Sequence, residues 1–83
     1  MANKHGKRRE NRHHIVAQSR GGEDEGNVVQ WDERFHTTWH YMFDTMTKEE
    51  VIEFMSIILE PGSRWTISAI RRLQRDIIAR NEH

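Results

Sequence analysis

Apolar residues are nearly absent from residues 1–11, which are polar and basic without periodicity and predict a flexible arm. His13 to Ala17 (HHIVA) is short and contains β-branched residues before turn chemistry, which predicts a strand. Ser19 to Gly26 (SRGGEDEG) holds three glycines and three acids and predicts a loop. Asn27 to Trp31 (NVVQW) predicts a second strand, so the two form a hairpin with a long loop. Asp32 is then a suitable N-cap for a helix reading ERFHTTWHYMF, with Phe35, Trp39, Met42 and Phe43 on one apolar stripe.

Thr47-Lys48-Glu49-Glu50 has the pattern of a capping box and opens a second helix, whose apolar face is Val51, Ile52, Met55, Ile58 and Leu59. Pro61-Gly62 ends it. A third helix starts between Ser63 and Thr66 and runs to about Arg80, with Ile67, Ile70, Leu73, Ile77 and Ile78 inward and most of its arginines outward. The expected fold class is α+β. A ββα core over 12–43 is followed by helices at 47–59 and 66–80 that pack on it, and residues 12–83 form a single domain.

Composition narrows this picture. The chain has 83 residues, of which 35% are hydrophobic, so one core will be thin unless something staples it. There is no cysteine, which excludes disulfides and Cys-based zinc sites and leaves histidine or carboxylate as metal ligands. No apolar run approaches a membrane span and no signal peptide precedes the fold, so no membrane association and a cytoplasmic, intracellular setting are expected. The net charge is zero, but Lys4, Lys7, Arg8, Arg9 and Arg12 cluster near the start, and Arg71, Arg72, Arg75 and Arg80 mark the last helix. Phosphate binding follows such patches more than the sum.

The candidate chemistry lies between Arg12 and His40, which contains four of the six histidines. His36 and His40 are four residues apart and neighbours on one helical face. A hairpin strand can set His13 against that face, so that three imidazoles bracket one divalent ion with a position left open, the arrangement of catalytic metals. Adjacent strand residues point to opposite faces, so His13 and His14 cannot both be ligands in a regular strand; one binds metal and the other is free to act as a base. The Glu23-Asp24-Glu25 run reads as a solvated loop. Trp31, Trp39 and Trp65 could stack on bases, but core packing is the expected role, for Trp39 above all.

The ordered set of His13-His14, Gly21-Gly22, Asn27 and His36-x-x-x-His40 resembles the HNH, or ββα-metal, endonuclease motif, in particular the colicin-type DNases with their double histidine. The resemblance covers Arg12 to His40, about a third of the chain. It implies that His13, His36 and His40 ligate one divalent metal (zinc, nickel, manganese or magnesium). It further implies that His14 is the general base and that Asn27 holds the loop, and with it His14, in orientation. Lys7, Arg8, Arg9, Arg12 and Arg20 would contact nucleic acid. The implied activity is metal-dependent hydrolysis of phosphodiester bonds, with DNA as the expected substrate. The short chain leaves little surface to grip DNA, which adds a protein partner or a homodimer as candidate partners. The competing expectation is an HNH-like protein of weak or no activity that keeps the metal as a fold staple. Such a protein would act as a binding or inhibitory factor, for instance phage-encoded, on a host nucleic-acid machine.

Overall fold

The structure is a computed structural model and describes residues 9–82. It is a small α+β arrangement, a two-stranded antiparallel hairpin followed by three helices. β1 (Glu10–His14) pairs with β2 (Val28–Asp32) in a register that sets Asn11 opposite Trp31 and His13 opposite Val29. α1 (Glu33–Phe43) follows β2 without a break, then come α2 (Lys48–Ile58) and α3 (Ile67–Arg80). The backbone divides into two compact units that meet between Thr45 and Met46. Among the described residues no helix is long and apolar enough to cross a membrane.

The first unit is the ββα module. Asp32 caps α1 by accepting from Arg34 N at 2.9 Å and Phe35 N at 3.4 Å, which satisfies two N–H groups left without intrahelical partners. α1 lies on both strands. β1 begins at Glu10 and ends at His14, not at His13 and Ala17 as its own residues suggest. The cause is the partner: β2 offers its ladder from Asp32 back to Val28, and Glu10 and Asn11 take it up despite their polarity. Glu10 and Asn11 therefore belong to the sheet and not to an arm. Ile15 to Ala17 leave the strand for a turn, although Ile15 N still reaches Asn27 O at 2.8 Å.

The second unit pairs α2 with α3. The capping box forms, with Thr47 N donating to Glu50 Oε1 at 2.9 Å and Glu50 N to Thr47 Oγ1 at 3.2 Å. Glu50 is buried, and its second oxygen accepts from Asn81 Nδ2 at 2.9 Å, tying the start of α2 to the end of α3. Thr66 caps α3 by accepting from Ala69 N at 3.1 Å, and Arg80 pairs with Glu53. The buried side chains here are Met46, Phe54, Ile77 and the polar Gln74. Ile52, Leu59 and Ile67, expected inward, are exposed, and Phe54 takes the central place on α2. The apolar set of α2 spans too wide an arc for its spacing alone to select the buried edge.

Candidate metal centre

Strand alternation sorts the residues of β1 into two groups. Asn11 and His13 share one face and reach α1. Arg12 and His14 share the other and reach the loop acid Asp24. His36 and His40 stand one turn apart on α1. Ligand nitrogens of His13, His36 and His40 all lie within 4.8 Å of one another, with His13 buried, His36 half-buried and His40 exposed.

The tautomers follow from the outer partners. His40 Nδ1 faces the Asp44 carbonyl at 2.9 Å, and a carbonyl can only accept, so Nδ1 carries the hydrogen. His36 Nδ1 meets Asn11 Oδ1 at 3.3 Å, assigning its hydrogen in the same way. Both Nε2 atoms then carry lone pairs, and they face each other at 3.0 Å. Two lone pairs at that distance repel unless a cation lies between them. A tetrahedral ion with bonds of roughly 2.0–2.1 Å needs nitrogens about 3.4 Å apart. The 3.0 Å separation and the 4.8 Å outer limit bracket that spacing.

Two further observations fit a metal. His13 Nδ1 is buried with no hydrogen-bond partner, an arrangement that costs free energy unless something satisfies it. His13 is also pushed down to about 4, first by burial and then by His40, His36 and His14, and burial followed by His40 lowers His36. Neutral imidazole is the form that binds metal. Asn11 and the Asp44 carbonyl supply the outer hydrogen bonds that aim ligand histidines. Asp44 holds φ 53, the one positive value at a non-glycine among the described residues, and this unfavourable conformation turns its carbonyl onto His40.

His14 is not one of the three clustered imidazoles. Its Nε2 is 2.8 Å from Asp24 Oδ1, and it lines an open cleft of about 280 Å³ together with Arg12, Ala17, Gln18, Ser19, His36 and His40. Asp24 is held below the usual carboxylate range by its hydrogen bond from His14 and then by Arg12, whose guanidinium is 3.0 Å from Oδ2. The acid reads from sequence as solvated loop; in the fold it is engaged on both oxygens.

Asn27 acts as a clamp. Its Oδ1 accepts from Val16 N at 2.8 Å, and its Nδ2 donates to Val16 O at 2.9 Å and to Glu23 O at 2.7 Å. Gly22 has no room for a side chain, because a Cβ would lie 1.7 Å from Val16 O. Gly21, at φ 92, ends the 3-10 turn Gln18–Arg20.

The basic residues are differently placed. Arg9 pairs with Glu33 at 3.6 Å, Arg12 with Asp24, and Arg20 donates to Thr45 O at 3.1 Å. Lys7 and Arg8 lie outside the described residues. Trp31 stacks on His13 with centroids 4.3 Å apart and also contacts Phe35 and Trp39. Trp39 in turn meets Phe43 at 4.5 Å, so these two tryptophans wall the triad. Sequence reasoning overlooks Asn11 and Asp24; their only signal is alternation, which places Asn11 beside His13 and gives Arg12 and His14 a common partner. No protein-family model, no curated protein and no solved structure matches the chain.

Proposed function

We propose that the protein is a metal-dependent endonuclease of the HNH type that hydrolyses phosphodiester bonds in DNA. The observation that carries this reading is the shared cleft: His14 opens on the same space as the ligand pair His36 and His40. A proton acceptor and a metal-binding face on one cavity are what water-mediated attack on a phosphodiester requires. His13, His36 and His40 hold one divalent ion, which when bound neutralises phosphate charge and favours departure of the leaving oxygen. His14 takes the proton of the attacking water, the general-base role an imidazole most often fills. Asn27 fixes the loop that borders His14, and Arg12 at the cleft edge orients a phosphate.

The test is cleavage of supercoiled plasmid by metal-free protein resupplied with magnesium, manganese, nickel or zinc, with His14→Ala alongside. Cutting by the wild type and none by the variant is the expected result. The ion pairs of Arg9 and Arg12 and the carbonyl bond of Arg20 favour a second reading, a metal-stapled binding or inhibitory protein, since these cations already have partners. Folded, metal-loaded protein that cuts with none of the four ions would decide for it.

A further inference from the structure

Arg12 and His14 sit two residues apart on β1, so they leave the strand on the same side. One carboxylate serves both: Asp24 Oδ1 is 2.8 Å from His14 Nε2 and Oδ2 is 3.0 Å from Arg12. The backbone at Asp24 is fixed as well. Its carbonyl accepts from Asn27 N at 3.1 Å, and the preceding carbonyl, of Glu23, accepts from Asn27 Nδ2 at 2.7 Å. Asp24 is exposed to solvent, yet both of its oxygens and its own carbonyl are engaged.

We propose that Asp24 is the positioning residue of His14, accepting its Nε2–H so that Nδ1 is left as the unprotonated nitrogen available for proton abstraction at the cleft. The proposal rests on the nuclease reading given above. An ionised carboxylate has only acceptor capacity, so the hydrogen shared at 2.8 Å belongs to the imidazole. Arg12 holds the carboxylate in place from the other side, and the hydrogen bonds of His14 and Arg12 keep it ionised. The clamp at Asn27 then acts on His14 through Asp24: it sets the loop backbone, the loop sets the carboxylate, and the carboxylate sets the tautomer. A base whose tautomer is fixed does not need to reorganise before each turnover.

The experiment uses the full-length, metal-loaded protein with Asp24→Ala, Asp24→Asn and Asp24→Glu. Nitrogen-15 spectra of the imidazoles report the His14 tautomer, and plasmid cleavage is measured across substrate concentrations. In the wild type His14 should show the Nε2–H form, and in Asp24→Ala a mixture of both forms. The value of kcat should fall about 10- to 100-fold in the alanine and asparagine variants, with KM within about twofold. Asp24→Glu should recover part of the rate. An unchanged tautomer in Asp24→Ala overturns the proposal, as does cleavage equal to or faster than wild type, which would mean that the carboxylate merely occupies the place of a substrate phosphate. The Asp24→Asn variant preserves shape, so a folding defect confined to Asp24→Ala does not decide the outcome. Absence of cleavage by wild type overturns the nuclease reading and this role with it, and the spectra still show separately whether the hydrogen bond exists.

Discussion

At the scale of single residues, the two adjacent histidines of β1 have different surroundings because a strand sends neighbours to opposite faces. His13 is enclosed against Trp31 and the ligand pair, whereas His14 meets Asp24 and the cleft. Replacing His14 by Ala should therefore abolish cleavage and leave the metal content near one ion per chain, measured by atomic absorption; loss of the metal would show that the two roles are exchanged. Acidity has a defined sign here. His13 binds its proton less readily when folded, at about 4 against 6.5 unfolded. Its contribution to stability is full above about 6.5 and is lost as the pH falls toward 4, because the unfolded chain then takes up more protons. His36, also lowered, adds in the same direction. Urea titrations of metal-free protein should show the midpoint falling across that interval, and His13→Ala should flatten the fall. The three clustered histidines are legible in the sequence because metal-ligand chemistry is written in residue type and spacing. Asn11 and Asp24 are not, because an amide in a basic stretch and an acid in an acidic loop have chemistry only once a partner is brought to them.

At the scale of elements, the loop between the strands is built by close approach. Gly22 lies against the Val16 carbonyl, and Asn27 closes the same point with three hydrogen bonds. Gly22→Ala should cost ~2–4 kcal/mol, because the added methyl would overlap the Val16 carbonyl and crowd the Asn27 amide that clamps it. The shift in urea midpoint measures that cost, and an unshifted midpoint would mean that the loop has a second way to pack. The helices and the caps at Asp32 and Thr47 are readable from sequence, since caps depend on residues two or three positions away. The start of β1 is not, since its pairing is imposed by Val28 to Asp32, far along the chain. The burial of Phe54 in place of Ile52 and Leu59 is likewise set by neighbouring elements, which local spacing cannot supply.

At the scale of the whole molecule, buried apolar side chains are few among the described residues: Phe43 in the first unit, and Met46, Phe54 and Ile77 in the second. A ligand bound only by the folded state contributes about 2.7 kcal/mol at a hundred times its Kd, roughly 10–20 °C in Tm for a domain of this size. Addition of a chelator, or His36→Ala, should lower Tm by that order in a thermal scan. A Tm unchanged by chelator would remove the metal as a staple. The stacking of Trp31 on His13 at 4.3 Å has an optical consequence. An open-shell ion such as nickel held by that imidazole would sit within quenching range of the indole, and closed-shell zinc would not. The emission of the protein should dim on titration with nickel, stay bright with zinc and recover as zinc displaces nickel, so occupancy can be followed without an added dye. Trp31→Phe should reduce the response to the share of Trp39, whose ring lies 6.0 Å from that of His13.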